Sequence, residues 1–535
     1  MLTAGILVLL SSTVAMAAGT QTIEGRWTGS YRMANTWRFI TLDLEPGTTP
    51  GGALQVPADG ETLAVGSLQW SGGKLRFRAG PEGDVTEFEG VVAADRISGD
   101  LSYPDGKGRF QMLRSQPPTD SLWRDYPGHY SIPGGDYLGV VPYDPGNREP
   151  HLVYLDSKSG EWGILVPVQR EEFAVLPARV LPFTTSTRLT FLRDGASVSG
   201  VRLTRGRSHV QGRKDAAIDA EEVRFRNGSI DLVGTLLTPA GATGRIPAVV
   251  IVHGSGAQTR NGSPSSPSYL RLMGEHFARA GCAALIYDKR GTGGSTGNWR
   301  TAGFDDLAQD VLSAVGFLQG RPGIDPLRIG VWGISEAGWV ISSVVSRPSA
   351  VAFVIVVGGG GLSPANQELY GRELNLKEAG FSEREIQRAL THQRLKFDLV
   401  RANDAAGLDR ANEAACNERW FNFVSNPTSA EESWKYWRSV IDFDPRANWA
   451  RYRGPMLVVF GADDESGPSG PSLASIQSAR SKGEGPPMDS KVFSGADHML
   501  IVRPRESPAH LAPGYLSLMS DWLQQAARRT APTPR

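Results

Sequence analysis

The sequence predicts an α/β domain built on a mostly parallel, doubly wound sheet, preceded by one or two small all-β modules. Three observations predict it. Up to about residue 213, short runs of alternating polar and apolar residues are separated by Gly-rich turns. From about residue 216, near-continuous apolar runs alternate with amphipathic stretches of helical period. Between Gly358 and Pro455 the apolar runs stop and only helical patterns remain. Alternation marks strands with one wet face, whereas continuous apolar runs mark strands covered on both faces. Strand–helix alternation is the pattern of a layered α/β domain.

In chain order, residues 1–17 (MLTAGILVLLSSTVAMA) read as an export signal. The apolar run Ala4–Leu10 precedes Ala15-Met16-Ala17, a small-x-small cleavage pattern, although no Lys or Arg stands before the run. A bilayer span takes roughly 20 apolar residues, more than this run offers. The expectation is a periplasmic or extracellular protein with no membrane span. Residues 18–115 form a first all-β module, a small sandwich or barrel, with RFITLDLEP, KLRFRAG, TEFEGVVA and RISGDLSYPDGKG as strands. After SQPPTD, residues 116–213 form a second module, one larger module being the alternative.

Residues 214–362 begin the α/β domain. EEVRFRNGSIDLVGTLLTP reads as a hairpin with Asn227-Gly228 at its turn. The buried strands PAVVIV, CAALIYD, RIGVWGI and AFVIVVG follow. Residues 363–445 are a helical insertion, with Ser382 and Glu385 spaced as a capping box. Connections in such folds usually run about two to six residues, so an insertion this long reads as a cap over the site. Its Trp420, Trp434, Tyr436 and Trp437 are expected to pack rather than to touch substrate. Residues 446–535 complete the domain, starting with the strand PMLVVFG.

Composition excludes several classes. The 56 basic and 56 acidic residues balance, so no global field favours nucleic acid or an anionic membrane. Cys282 and Cys416 form no Cys-x-x-Cys pair, so neither a disulfide framework nor a structural zinc site is expected, and both read as buried thiols. No HExxH or Walker sequence is present, and the reading calls for no metal and no cofactor. A dinucleotide-binding loop is also disfavoured: in HGSGAQT, Thr259 stands where a third glycine is required.

Two serines compete as nucleophile. Ser295 lies in a literal Gly-x-Ser-x-Gly pattern, Gly293–Gly297, but well past the end of its strand at Asp288. Ser335, in GVWGISEAGW, lacks the last glycine because Ala337 stands there. It nevertheless falls between the strand RIGVWGI and a helical stretch, which is the strand–turn–helix elbow that exposes a nucleophile. A serine hydroxyl needs a histidine to take its proton and an acid to orient that histidine. Asp463 and Asp464 follow a later strand, and His498 follows the last one, with His510 a weaker candidate. The order Ser335, Asp464, His498 places nucleophile, acid and base at successive strand ends. Backbone N–H donors for the developing oxyanion are expected from Glu336 and from Ser255 in VIVHGSG, with Gly254 and Gly256 as alternatives.

Together HGSG (253–256), YDKRGTGGSTG (287–297), GISEAG (333–338), GADD (461–464) and GADH (495–498) resemble the bacterial α/β-hydrolase superfamily, over roughly residues 216–525. The likeness is to its capped esterase and serine-aminopeptidase-like branch. It implies an α/β-hydrolase fold and a Ser-His-Asp triad acting through an acyl-enzyme. It favours Asp464 over Asp463, since Asp464 is the fourth residue of a Gly-x-x-Asp turn with Pro468 four further on. It also gives Asp288, Arg290 and Ser295 structural roles. The expected substrate is a small-molecule ester with a short or medium acyl group. Aminopeptidase action, with Glu336 anchoring an amino group, is the alternative. A binding protein carrying an inactive hydrolase domain is the alternative outside enzymes.

Overall fold

The computed structural model describes residues 22–529, apart from 34–35, 46–51, 57–60, 81–84, 105, 118–123, 144–150, 178–180, 182–186, 264–265, 348–350, 484 and 505–507. The expected leader, 1–17, lies outside the described residues.

The N-terminal β region is two separately closed eight-stranded barrels. In the first, each strand from Gly25–Met33 to Gly106–Ser115 pairs antiparallel with the next, and the last returns to the first. Burial alternates along Lys74–Ala79 and Thr86–Ala93, as one filled face and one wet face require. Trp27, Phe77, Phe88 and Phe110 fill the interior, with the Phe77 and Phe88 rings stacked at 4.6 Å.

In the second barrel the short strand Gly128–Ser131 closes the ring between Tyr137–Tyr143 and Ser208–Asp215. Here the alternation breaks down: every residue of His151–Asp156 is buried. The cause is a second contact on the outer face. Leu152 and Tyr154 fill the barrel, while Val153 and Leu155 belong to the same apolar core as Tyr269, Leu272 and Met273 of the C-terminal domain, where the Trp162 and Tyr269 rings meet at 5.3 Å. Burying each such apolar side chain is worth about 2 kcal/mol over leaving it in water. Polar ties accompany the contact: His129 Nε2 lies 2.7 Å from Glu275 Oε2, and Arg279 pairs with Asp215 at 3.0 Å.

The C-terminal domain is one eight-stranded sheet. Its strands are β1 (Ile218–Asn227), β2 (Ile230–Pro239), β3 (Ile246–Val252), β4 (Ala283–Tyr287), β5 (Ile324–Ile334), β6 (Val354–Val357), β7 (Met456–Gly461) and β8 (Asp489–Phe493). They lie in the order β1-β2-β4-β3-β5-β6-β7-β8, with β2 antiparallel to both neighbours and the strands from β4 onward parallel. The hairpin turn is Gly228-Ser229, flanked by the paired Asn227 and Ile230. Helices α1 (Tyr269–Arg279), α2 (Phe304–Gln319) and α3 (Ala337–Val345) follow β3, β4 and β5. Between β6 and β7 lie α4 (Pro364–Glu378), α5 (Glu383–Arg401), α6 (Ala405–Ala415), α7 (Glu431–Val440) and α8 (Arg446–Arg451). Ser382 caps α5 as expected, its hydroxyl accepting from the Glu385 amide and the Glu385 carboxylate accepting from the Ser382 amide. Two cores sandwich the sheet, one continuous with the second barrel and one beneath α2 and α3. No helix among the described residues is long and apolar enough to cross a membrane.

One cysteine departs from expectation. Cys282 is buried, and burial pushes its thiol above the ordinary range, whereas Cys416 is exposed because it lies just past the end of α6.

Candidate active site

Strand β5 ends at Ile334 and α3 begins at Ala337, leaving two residues to reverse the chain. Ser335 makes the turn with φ 62°, left-handed backbone that costs a residue with a Cβ about 1 kcal/mol or more. Its amide donates to Val357 O at 2.8 Å, and its carbonyl accepts from the Gly338 amide at 2.9 Å. The turn is crowded in a particular way. A Cβ on Gly333 would lie 2.4 Å from the Ala337 methyl, and one on Gly338 would lie 2.5 Å from Gly360 N. The methyl of Ala337 therefore occupies the room that Gly333 leaves. The backbone of 358–361 crosses at Gly338, where no side chain fits.

His498 follows β8 in a loop and points its Nδ1 at Asp464, 2.9 and 3.0 Å from the two carboxylate oxygens. Asp464 Oδ1 also accepts from the amides of Ser466 and Gly467, both at 2.8 Å. With Nδ1 donating to the carboxylate, the neutral imidazole keeps Nε2 as its acceptor. Asp463 is exposed, and its amide is bound to Ala496 O at 2.9 Å. Ser335 and His498 line one cavity of about 850 Å³, together with Gly254, Ser255 and Glu336. Among the described residues, the amides of Ser255 and Glu336 donate to no backbone carbonyl. His510 does not line this cavity; its Nδ1 lies 2.8 Å from Leu511 O in a short edge hairpin.

The structure gives Ser295 another position. Its buried hydroxyl donates to Asp288 O at 2.7 Å and accepts from the Val233 amide at 3.0 Å. The surrounding turn is held by charge: Arg260 grips Asp288 at 3.0 Å, and Arg290 grips Asp310 at 2.7 Å. Ser295 is not among the cavity's lining residues.

Sequence reasoning missed one cluster. Lys289 and Glu336 are both buried and pair at 2.7 Å. Lys289 Nζ also donates to Gly254 O at 3.0 Å and Gly256 O at 3.3 Å. The other oxygen of Glu336 accepts from Tyr436 Oη at 3.1 Å. Burial and the neighbouring carboxylate hold the Tyr436 phenol well above its ordinary pKa, so it stays a donor. Burial, reinforced by Lys289, pushes His253 down to about 3, and this neutral ring lies 2.5 Å from Tyr287 O. The available signal was position, since Lys289 directly follows a strand-end Asp.

The aromatic residues of the insertion need a correction. Trp420 is buried beneath α5 and Trp434 packs against Phe397 and Ile441. Tyr436 and Trp437, by contrast, line the cavity, Trp437 while also packing on Phe397 at 5.4 Å between ring centres; Trp299 and Trp339 line it too. Among the described residues, no group of three or more His, Cys, Asp or Glu side chains is placed to hold a metal ion.

Residues 249–507 match the model of the alpha/beta hydrolase family. The C-terminal domain has the α/β-hydrolase fold. A thiohydrolase of Aspergillus aculeatus is 36% identical to the chain over 112 residues, which is 21% of this chain and 33% of that protein. A polyketide transferase of Penicillium crustosum is 30% identical over 147 residues, 26% of this chain and 44% of that protein. The chain thus spans less than half the length of these relatives. Among solved structures, the hydrolase-fold domain is similar to an alpha/beta hydrolase of Penicillium sp. sh18, at 18% identity and TM-score 0.37, covering 58% of this chain and 99% of that one. It is also similar to an acetyl xylan esterase of Paenibacillus sp. R4, at 18% identity and TM-score 0.36, covering 58% and 84%.

Proposed function

We propose that this protein is a serine hydrolase acting on carboxylic esters with short or medium acyl groups. Ser335 is its nucleophile, His498 its base and Asp464 the acid that orients the base. The observation that carries the reading is the pairing of His498 Nδ1 with the buried Asp464, His498 lining the same cavity as Ser335. The serine Oγ attacks the acyl carbonyl while His498 Nε2 takes its proton. The oxyanion forms between the amides of Ser255 and Glu336. The imidazolium then protonates the leaving alkoxide, the carbon–oxygen bond breaks, and an acyl-serine remains. Water repeats the sequence with His498 as base, releasing the acid and restoring Ser335.

The helical insertion 363–445 acts as a cap, with Tyr436 and Trp437 forming part of the roof over the substrate. The partial likeness to proteins named as a thiohydrolase and a polyketide transferase is compatible with a hydrolytic or transfer reaction. An ester is favoured over a peptide because Glu336, the carboxylate that an aminopeptidase reading would use for the amine, is taken up by Lys289 and Tyr436. The leader-like sequence of residues 1–17 supports export, so the proposed site of action is periplasmic or extracellular.

Fluorophosphonate labelling followed by peptide mapping, with p-nitrophenyl acetate and butyrate turnover, tests the proposal. The expected outcome is an adduct on Ser335 and turnover that Ser335→Ala abolishes. A well-folded wild-type protein that neither labels nor turns over esters would sink it and leave the inactive binding protein standing.

A further inference from the structure

We propose that Lys289 is a positioning residue that sets the oxyanion-binding loop by gripping the carbonyls on either side of Ser255. The inference rests on the serine-hydrolase reading above and concerns a residue outside its triad. An ammonium group has three hydrogens to donate. Lys289 has three acceptors within reach: Gly254 O, Gly256 O and Glu336 Oε1, at 3.0, 3.3 and 2.7 Å. The side chain is buried in the wall of the cavity, which limits competition from water for these bonds.

Peptide geometry turns this grip into orientation. In a trans peptide the C=O and the following N–H point in opposite directions. With Gly254 O held toward Lys289, the Ser255 N–H is turned away from it. The flanking glycines make such a constraint necessary. Gly256 already has φ 81°, and a Gly-rich segment crosses between backbone regions at little cost. A flip of the 254–255 peptide would put a carbonyl oxygen where its amide had been, opposing the negative charge of the transition state. Catalytic hydrogen bonds gain their worth from being fixed before that charge develops.

The carboxylate partner extends the device. Glu336 is itself the residue whose amide is the second proposed donor, so the ion pair ties the two donor segments together. Because the carboxylate offsets the ammonium, Lys289 acts through geometry rather than as a bare charge beside the oxyanion. Tyr436 holds the other carboxylate oxygen from α7, linking the elbow to the helical insertion.

Lys289→Met, which keeps the length of the side chain and removes its donors, tests this. Misaligning one oxyanion donor implies a fall in kcat of about 100-fold for p-nitrophenyl butyrate, with KM within threefold of wild type. Affinity for a trifluoromethyl ketone, which binds serine as a tetrahedral adduct, should fall in parallel, whereas a purely structural pair would lower only thermal stability. Lys289→Arg, able to donate to the same acceptors, should recover at least tenfold over Met. A folded Lys289→Met protein with kcat within threefold of wild type, or one whose loss lies in KM alone, overturns the inference. Should Lys289→Met fail to fold, the isosteric Glu336→Gln carries the test. It should cost about tenfold in kcat at constant KM, and a change under twofold overturns the inference. Wild-type protein without turnover and without labelling at Ser335 strikes instead at the hydrolase reading.

Discussion

Asp464 meets His498 with both carboxylate oxygens, at 2.9 and 3.0 Å, while one of those oxygens is also held by two backbone amides. Asp464 is thus fixed by its own turn before it fixes the imidazole. Asp464→Asn replaces an acceptor-only group by one that can present an amide N–H to Nδ1 and favour the wrong tautomer. The expected loss in kcat is about 1,000-fold or more. Asp463→Asn, altering an exposed side chain, should stay within twofold. Steady-state kinetics on both variants checks the assignment, and equal losses would refute it.

Ser295→Ala separates turn-building from catalysis. Its hydroxyl serves two backbone groups, so removal leaves a buried amide and carbonyl short of a partner at about 1–3 kcal/mol. The variant should melt several degrees lower yet keep at least a tenth of wild-type turnover. Thermal denaturation and kinetics on one preparation decide it; loss of turnover at unchanged stability would argue for a direct role.

The elbow predicts an asymmetry between neighbours. Ala337→Gly should leave kcat within about threefold, since it only vacates space against Gly333. Gly338→Ala drives a methyl into the Gly360 backbone, and overpacking of this kind costs about 1–3 kcal/mol. The expected result is lower stability and at least tenfold lower kcat, read by calorimetry and turnover.

Acid should destabilise the fold above the carboxylate range. Burial pushes His151 and His276 down to about 4 and His253 to about 3. Their unfolded-state values lie near 6.5, so as pH falls below that point the unfolded chain binds protons that the native protein refuses. Stability therefore falls from about pH 6.5 to about pH 4 for His151 and His276, and on toward pH 3 for His253. Urea midpoints between pH 7 and pH 4.5 should decline, and less so in His151→Leu, which removes one such group. An identical slope in that variant would contradict the prediction.

The strand ends and the elbow were legible because short-range pattern dictates them: an apolar run, a tight turn, then a helical stretch. The preference for Ser335 over the better motif match came from the same source. What stayed hidden depends on contacts between distant segments. The pairing of Lys289 with Glu336 joins residues 47 positions apart, and no local periodicity marks it. The six-residue helix α8 carries too few turns to show a period. Tyr436 looked like a packing residue because an aromatic that roofs a cavity and one that fills a core have the same spacing. Cys416 looked buried because its exposure depends on where α6 stops.

The second barrel turns its Val153 and Leu155 outward into the apolar core that Tyr269 and Leu272 of the hydrolase-fold domain also build, so its sheet has no solvent side there. Anyone wishing to shorten this gene to its hydrolase-fold half would naturally cut near residue 216, where the pattern of the sequence changes. That cut would strip an oily wall bare on the surviving fragment, beside the helix that follows β3. The seam visible in the letters is not a seam in the material, and a minimal version of this domain would have to keep the second barrel or repaint that wall with polar residues.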